Sequence, residues 1–348
     1  MSDYSQRPTG VQNTLPPYNI VWQFRYNRKV STSAMPREMM PANTLILCNL
    51  LANRQRAARV AAHCQQLTQG RADVIWQFSE YHRHAILLAR SAGEQGVRKV
   101  VAMGGDGTAH EVVNGLMQVP SERRPALGII PVGSGNDFSR TLGIPADPVK
   151  ALELALDGTL SPVDIARVQD QTGRSEYWTN TLGIGFDAVV NIRSRRIPWV
   201  RGFLIYFLSA LQTILFNHTP MSIHARQDDQ TWQQHLLMMV LCNGRREGGA
   251  FWVAPNANPR DGQLDFLGIQ KISRLKMLYT IPFVMRGQQA RLPYVCQGQF
   301  RRLELTSDQP LFIHTDGEVY AGLDSSLRHI QVEVVPSAIQ VTVPPASL

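Results

Sequence analysis

The sequence predicts an α/β lobe built on a parallel sheet, followed by a lobe that is rich in β-strands. Apolar segments with strand and helix periodicity alternate from Leu45 onward. Two glycine-rich turns, at residues 104–108 and 133–137, directly follow apolar runs of strand type. After about residue 160, strand-like segments dominate. Because ligands of parallel sheets bind at the carboxyl ends of strands, we expect both turns to lie at a ligand site.

The first lobe is predicted from alternating segments that place helices on both faces of the sheet. After a strand that ends at Cys48, the predicted segments are a helix over residues 54–69, a strand over 73–78, a helix over 85–92, a strand over 100–103, a helix from 108 and a strand over 127–132. Thr108 and Glu111 have the spacing of a capping box, which predicts that the helix begins at Thr108.

A change of character predicts a domain boundary near residue 160. Asp147 and Pro148 open a helix that Gly158 closes. The strand-like segments that follow lie at residues 163–168, 177–182, 221–225, 236–242, 264–269, 303–305 and 330–335, with helices near 200–216 and 273–286. We therefore predict a loosely ordered extension at residues 1–43, an α/β domain at 44–160 and a β-rich domain at 161–345, whose last strands are free to return to the first lobe.

Composition limits the classes of function. The chain of 348 residues is 44% apolar, which is enough for two cores, and its formal net charge of +8 favours acidic partners such as nucleotide phosphates or anionic lipids. Four widely spaced cysteines and the lack of an apolar leader predict a reduced, cytoplasmic protein. Basic residues interleaved with aromatic ones are sparse, which argues against nucleic-acid binding.

The two glycine-rich turns have the composition of phosphate-binding turns. Glycine lets the backbone approach an anion closely, and amides at the start of a helix favour negative charge. A structural tight turn would explain residues 133–135 equally well in isolation. Asp106 favours a phosphate site, because a carboxylate beside phosphates requires a cation, and Mg²⁺ held by carboxylate and phosphate oxygens is the usual solution.

Two longer segments carry a family resemblance. They are GGDGTAHEVVNGL at residues 104–116 and PVGSGNDFSRTLGIP at residues 131–145. Together they resemble the diacylglycerol kinase catalytic family, which includes bacterial lipid kinases and sphingosine kinases. The resemblance continues in the family's order through residues 162–164, 180–187, 248–249, 254–255, 261–262 and 316–318. It implies an ATP-binding α/β lobe, a β-sandwich lobe and an active site in the cleft between them.

The resemblance also implies which residues bind ATP and Mg²⁺. In the first turn, Asp106 would organise Mg²⁺ and the γ-phosphate, and the residues that cradle the phosphates would be Gly104, Gly105, Gly107 and Thr108. The second wall of the nucleotide site would consist of Gly133, Ser134, Gly135, Asn136 and Asp137.

Two further parts of the sequence differ from the family or match it only loosely. The family's first strand ends in Asn-Pro and a glycine-containing loop, whereas here Asn49, the expected nucleotide contact, is followed by other residues. Basic residues that could meet phosphate instead, or simply form a solvated helix face, are Arg54, Arg56 and Arg59. Some members also hold a structural Mg²⁺, for which the matching residues are Asp261 and the carbonyls of Asn258 and Gln263, although an ordinary hairpin turn would also explain them.

Two carboxylates late in the chain are the candidates for catalysis. Asp316 and Glu318 flank Gly317, so a turn can direct both into one cleft. A lipid hydroxyl is a weak nucleophile at neutral pH, and a nearby carboxylate can accept its proton during phosphoryl transfer. We assign this role to Glu318 and a supporting role, linked to water or metal, to Asp316. His110 and His314 are given no role, with His110 read as a solvated residue of the first helical turn.

A lipid substrate requires contact with a membrane, and one segment has the composition for it. A basic cluster at Arg193, Arg195, Arg196 and Arg201 precedes an apolar stripe at Phe203, Leu204, Phe207, Leu208 and Leu211. This arrangement suits an anionic membrane surface and a peripherally bound enzyme, and packing of the stripe in the second core is the alternative. At residues 203–216 the apolar stretch is shorter than the roughly 20 residues that span a bilayer.

These observations favour an ATP-dependent, Mg²⁺-requiring lipid kinase with diacylglycerol as the default acceptor; a sphingoid base, ceramide or another lipid alcohol is a further option. An NAD kinase is the main rival, because its Gly-Gly-Asp-Gly motif is similar, but residues 131–137 and 316–318 resemble the lipid-kinase pattern. A catalytically silent, nucleotide-binding membrane adaptor is the alternative of another class. The intact Asp106, Asp316 and Glu318 argue against it. An oligomer is left open.

Overall fold

The computed structural model describes residues 43–50, 52, 56–195, 203–216 and 219–345. The expectations for residues 1–42, for Arg54, Arg196 and Arg201, and for the side chains of Phe203, Leu204 and Phe207 lie outside the described residues. The strands are β1 (Thr44–Cys48), β2 (Val74–Phe78), β3 (Lys99–Gly104), β4 (Ala126–Pro131), β5 (Thr159–Asp170), β6 (Ser175–Trp178), β7 (Thr181–Gly185), β8 (Met221–Gln227), β9 (Gln230–Cys242), β10 (Leu264–Gln270), β11 (Val295–Phe300), β12 (Arg302–Ser307), β13 (Ile313–Thr315), β14 (Glu318–Ala321) and β15 (His329–Val343). The helices are α1 (Arg56–Leu67), α2 (His84–Glu94), α3 (Asp106–Leu116), α4 (Asp137–Thr141), α5 (Pro148–Asp157), α6 (Phe186–Ser194), α7 (Phe203–Phe216) and α8 (Arg274–Met285).

The first lobe is a parallel sheet in the order β4-β3-β1-β2, flanked by helices. Residues of β1, β3 and β4 are buried along their whole or nearly whole length, as expected for strands covered on both faces. Gly104, the last residue of β3, is in register with Pro131, the last residue of β4. The two glycine turns therefore leave the sheet side by side at its carboxyl edge, as the sequence predicts.

Helix α3 begins two residues earlier than predicted, and the predicted capping box is wrong. Its N-terminal cap is Gly105, and no side chain caps it. Glu111 instead accepts hydrogen bonds from the backbone amides of Arg83 (2.9 Å) and Ala85 (3.2 Å) at the start of α2. Its carboxylate thus caps the neighbouring helix, which satisfies amides that lack partners within that helix.

The second lobe is antiparallel and packs around its own core, which confirms the predicted α/β lobe followed by a β-rich lobe. Large side chains such as Trp178, Phe300 and Leu241 are fully buried there. A further apolar cluster, which includes Phe186, Ile214 and Met277, lies where helices α6, α7 and α8 cover β9 and β10. The helices near 200–216 and 273–286 are confirmed as α7 and α8.

The last strand connects the two lobes. β15 pairs antiparallel with β5 over most of its length, and near its end Val341 pairs parallel with Leu127 of β4. The first and second lobes therefore share one continuous hydrogen-bonded sheet. The domain boundary near residue 160 stays a prediction. No helix in the described part of the chain is long and apolar enough to cross a membrane.

Glycine at residue 115 allows α2 and α3 to pack closely. A Cβ at Gly115 would overlap the carbonyl oxygen of Ile86 and lie 2.8 Å from Cβ of Ala89. Gly115→Ala should therefore lower the free energy of unfolding by about 1–3 kcal/mol through overpacking. Urea denaturation would measure this, with Glu153→Ala on the exposed face of α5 as the control, expected to change stability by less than about 0.5 kcal/mol. Equal stabilities of the two variants would contradict this packing.

Candidate active site

The sequence-predicted residues from distant parts of the chain line one cleft of about 630 Å³. Those that line it are Asn49, Gly105, Asp106, Gly107, Thr108, Gly133, Ser134, Gly135, Asp137, Asp316 and Glu318. Gly104 ends β3 beside them, and Asn136 is the N-terminal cap of α4. The set Asn258, Asp261 and Gln263 is not part of this lining.

The two glycine turns are in direct contact. A Cβ at Gly133 would lie 2.5 Å from Cα of Gly105, so the turns can approach only because both residues lack side chains. The carboxylate of Asp106 joins them, because it accepts a hydrogen bond from the Asn136 amide (2.7 Å). Asn136 itself has a left-handed backbone conformation, with φ of 56°. The two turns thus form one backbone surface of the kind that accepts phosphate.

Two carboxylates with raised pKa values lie beside these turns. Burial, followed by the charges of Asp137 and Asp316, raises the pKa of Asp106 to about 7. The pKa of Asp137 is also raised, mainly by burial. One of its oxygens accepts from the Gly249 amide (3.0 Å), whereas the other, Oδ1, is buried and has no hydrogen-bond partner among the described residues. Hard oxygen donors that lack enough protein partners fit Mg²⁺.

The carboxylate of Asp316 is held on all sides by protein donors. Oδ1 accepts from the amides of Asn180 (2.7 Å) and Thr181 (3.2 Å), and Oδ2 accepts from the amide (2.8 Å) and hydroxyl (3.1 Å) of Thr179. These contacts interrupt the predicted strand over residues 177–182, which the structure divides into β6 and β7. With its oxygens occupied, Asp316 has the geometry of a positioning residue that fixes the turn carrying Glu318.

His110 is buried, and the expectation that it is solvated is wrong. Its Nδ1 lies 2.9 Å from Asp316 Oδ2 and its Nε2 lies 3.5 Å from Glu176 Oε1. Burial alone would lower the pKa of His110, but its hydrogen bonds with Asp316 and Glu176 and their charges outweigh burial and raise the pKa to about 10. The same pairing lowers the pKa of Glu176 to about 2 against the effect of burial. A buried imidazolium therefore connects α3 of the first lobe to both carboxylates of the second.

Glu318 lies directly against the first glycine turn. A Cβ at Gly107 would be 3.1 Å from Glu318 Oε1. Its other oxygen, Oε2, accepts from Arg195 Nη2 at 2.8 Å, and the same guanidinium donates to the Gly317 carbonyl at 2.6 Å. Arg195, which the sequence places in a membrane-binding cluster, is therefore a cleft residue. Arg195 is the C-terminal cap of α6, only two residues from Arg193, and its local sequence does not distinguish it from that cluster.

The loop around Asp261 contains internal hydrogen bonds. The Asp261 carboxylate accepts from the Gln263 amide (3.0 Å), and the Asn258 carbonyl accepts from the Arg260 (2.7 Å) and Asp261 (3.4 Å) amides. A hydrogen-bonded turn accounts for these contacts, and the structural Mg²⁺ at these residues stays a prediction. Asn49 ends in the cleft, whereas Arg56 and Arg59 are exposed on α1 and do not line it.

An apolar cavity of about 90 Å³ lies behind the cleft in the second lobe. Its apolar walls come from α6, α7, α8, β9 and β10, and include Phe186, Ala210, Met238, Leu267 and Met277. Two acidic residues, Asp187 and Glu247, also line it. Both lie beside His314, whose Nε2 is 2.8 Å from Asp187 Oδ2 and 2.9 Å from Glu247 Oε1. These three side chains are near enough to hold one cation, but the shared imidazole N–H accounts for their arrangement.

Sequence reasoning did not identify the residues that support the cleft. His110, Glu176, Asp187, Glu247 and His314 are far apart in the chain, and each one is an ordinary polar residue in its own segment. Gly183 is a partial signal, because a Cβ there would overlap both Asp187 and His314. A glycine in the middle of a strand indicates that another group approaches closely, but it does not identify that group.

The buried imidazolium of His110 makes stability depend on pH. Because its folded-state pKa of about 10 exceeds the ordinary value of about 6.5, its contribution is complete below pH 6.5 and is lost as pH rises towards 10. The wild-type free energy of unfolding should therefore fall between pH 7 and pH 10, and in His110→Gln this decrease should be smaller by more than about 1 kcal/mol. Urea denaturation across this range measures it, and the exposed His63→Gln serves as the control. Parallel curves for wild type and His110→Gln would contradict the pairing.

Two family models match most of the described chain. Residues 43–168 match the diacylglycerol kinase catalytic domain, and residues 180–343 match the YegS C-terminal NAD kinase beta sandwich-like domain. The first model spans both glycine turns, and the second spans the turn that carries Asp316 and Glu318. The order of an α/β lobe and a sandwich-like lobe agrees with the fold.

Comparison with known proteins gives the same family. The Chromohalobacter salexigens protein named "Probable lipid kinase YegS-like" is 33% identical over 70% of this chain and 76% of its own length. A Mycobacterium tuberculosis diacylglycerol kinase is 30% identical over 74% of this chain and 80% of its own length. A diacylglycerol kinase structure from Bacillus anthracis shares the fold, with a TM-score of 0.64 and 20% identity over 88% of this chain and 98% of that chain. The chain belongs to the family of lipid kinases that combine a diacylglycerol kinase catalytic domain with a sandwich-like C-terminal domain.

Proposed function

We propose that the protein transfers the γ-phosphate of ATP to the free hydroxyl of diacylglycerol at an anionic membrane surface, with Mg²⁺ as the metal. The observation that carries this proposal is the position of the Glu318 carboxylate against Gly107. It brings a proton acceptor to the phosphate-binding turn, so that a hydroxyl can contact the base and the phosphate together.

The two joined glycine turns bind the nucleotide phosphates through backbone amides at the start of α3 and α4. Asp106 and Asp137 would hold Mg²⁺ beside those phosphates, because both carboxylates are crowded and Asp137 Oδ1 lacks a partner among the described residues. When bound, Mg²⁺ neutralises phosphate charge and allows a nucleophile to approach. The remaining chemistry belongs to the side chains of the second lobe.

Glu318 accepts the proton of the acceptor hydroxyl as the bond to phosphorus forms. Arg195 binds Oε2, which orients the carboxylate and leaves Oε1 against the glycine turn. Asp316 and His110 fix this turn from behind. His110 lies on α3, the helix that begins in the phosphate turn, so the base and the phosphates are held at one spacing.

Replacing Glu318 tests the assignment of the base. Glu318→Gln keeps the size of the side chain but cannot accept the proton, and should lower kcat by roughly 10²–10⁴-fold with little change in the KM for ATP. Radiolabelled phosphate transfer in mixed micelles measures this. Glu304→Gln, which breaks an ion pair with Arg226 on the surface, is the matched control and should keep wild-type kcat. Wild-type kcat in a folded Glu318→Gln would contradict the role.

The apolar cavity supports a lipid acceptor rather than a soluble one. It shares Glu247 with the cleft, so a ligand with its hydroxyl at Glu318 can extend an acyl chain into it. Removal of apolar surface from water stabilises such binding by about 25 cal/mol per Å². An NAD kinase would have no use for this cavity. Label transfer to NAD would favour that rival, and no transfer to any lipid would favour the silent adaptor.

Exposed apolar residues on α7 and α8 support contact with a membrane. Leu275 is 78% exposed and Tyr279 is 60% exposed on α8, and Leu215 is 59% exposed on α7. The α8 pair stands four residues apart, which puts both on one helix face. Cations flank them at Lys271, Arg274 and Lys276, all of which are exposed. The opposite faces of the same two helices line the apolar cavity, so the cavity lies behind this surface.

Negative charge introduced on this surface by substitution should weaken membrane binding. Leu275→Asp with Tyr279→Asp places two anions where apolar side chains would enter the interface, and should reduce binding to vesicles that contain anionic lipid by at least tenfold. Vesicle sedimentation measures the bound fraction. Leu87→Asp is the control, because Leu87 is 56% exposed on α2 of the other lobe. Equal loss in both variants would show that this surface has no special role.

A further inference from the structure

Among the described residues, Glu247 alone lines both the phosphoryl-transfer cleft and the apolar cavity. Its backbone is fixed by two hydrogen bonds with Phe251, in which Glu247 N donates at 2.9 Å and Phe251 N donates at 3.1 Å. An acceptor lipid with its hydroxyl at Glu318 and its chain in the cavity must therefore pass the Glu247 side chain.

The Glu247 carboxylate has one oxygen in use and one without a partner. His314 Nε2 lies between Glu247 Oε1 (2.9 Å) and Asp187 Oδ2 (2.8 Å). Burial alone would lower the pKa of His314, but the charge of Glu247 and the hydrogen bonds with Asp187 and Glu247 outweigh burial and raise the pKa to about 10. The Nε2–H is therefore shared between the two carboxylates. Glu247 Oε2 is buried and has no hydrogen-bond partner among the described residues. A buried polar atom of this kind is stabilised when a ligand supplies the missing partner.

The groups that face Glu247 determine its protonation. They are Asp187 of α6, His314 of β13, Asp137 of α4 and the buried thiol of Cys242 in β9. Burial, and next the charge of Asp187, raises the pKa of Glu247 to about 7 in spite of His314. The carboxylic acid is therefore populated near neutral pH. Because Oε1 accepts from His314, the acid hydrogen resides on Oε2.

Diacylglycerol has a chemistry that matches this donor. Its hydroxyl is its only hydrogen-bond donor, and Glu318 takes that hydrogen in the proposed reaction. The ester carbonyls beside the hydroxyl are acceptors only, and burial in the cavity leaves them without water. We propose that Glu247 is an acceptor-binding residue whose carboxylic acid donates a hydrogen bond from Oε2 to an ester carbonyl of diacylglycerol. This inference rests on the proposed function, since it assumes a lipid hydroxyl at Glu318.

A pair of matched lipids tests it in the wild-type protein. 1,2-Dioctanoylglycerol has the ester carbonyls, and 1,2-dioctylglycerol is the diether that lacks them but keeps the hydroxyl and the chains. We expect the KM for the diester to rise roughly tenfold from pH 6 to pH 8, because the acid form of a group with a pKa of about 7 declines by that factor. The KM for the diether, measured at saturating ATP, should change by less than about twofold.

Two variants isolate the donor. Glu247→Gln keeps a hydrogen-bond donor that does not titrate, so the KM for the diester should stay low at both pH values. Glu247→Ala should raise that KM about tenfold at pH 6 and leave the diether unaffected. Asp265→Asn is the matched control, because Asp265 on β10 is also a half-buried carboxylate but lines neither cavity. It should keep the wild-type pH profile.

The inference is overturned if the diester and the diether show the same pH dependence in the wild-type protein, or if Glu247→Gln retains the rise in KM. The wild-type lipid pair gives an answer even where a variant fails to fold. A wild-type protein that phosphorylates neither lipid would instead refute the proposed function, and the inference with it.

Discussion

The active site depends on the buried carboxylate of Asp316. Donors from two places in the fold converge on it: the imidazole of His110 on α3, and the backbone and hydroxyl groups of the segment between β6 and β7. Asp316 itself has φ of 50°, a left-handed conformation that is rare outside glycine, and these hydrogen bonds stabilise it. Glu318 follows two residues later and is thereby aimed at the phosphate turn. The buried Asp316 thus determines where Glu318, the proposed base, lies.

Buried negative charge is the common feature of the cleft. Asp106 and Asp137 crowd the phosphate turns, Glu176 and Asp316 surround His110, and Asp187 and Glu247 surround His314. The negative charge of each group of carboxylates is compensated in a different way. In the first, burial and the neighbouring carboxylates raise the pKa of Asp106 to about 7. The second pairs with His110 and the third with His314, two buried imidazoles whose pKa values are raised to about 10. The third group also holds a proton on Glu247 near neutral pH. In the proposed function these differences correspond to an end that binds Mg²⁺, a structural centre and an end that faces the lipid.

Much of the fold can be predicted from local sequence, whereas the buried contacts that hold the site residues in place cannot. Alternating apolar segments and glycine turns predict β1, β3 and β4 and the carboxyl edge where both turns lie, because each signal is contained within a few residues. β13 and β14 are three and four residues long, too short for a periodicity to appear. Contacts such as His110 with Asp316 join residues about two hundred positions apart. The capping-box prediction is wrong for a related reason, since Glu111 contacts a neighbouring helix instead of its own.

The family resemblance directs attention to Asp106, Asp316 and Glu318, which local sequence patterns do not single out. It does not indicate Arg195 or Glu247, which only the fold brings into the cleft. The most direct test of the account is transfer of radiolabelled γ-phosphate from ATP, with Mg²⁺, to diacylglycerol in mixed micelles, with NAD as a parallel soluble acceptor. The proposed function predicts label in the organic-extractable lipid and none in NAD. Label in NAD alone, or in neither acceptor, would contradict it.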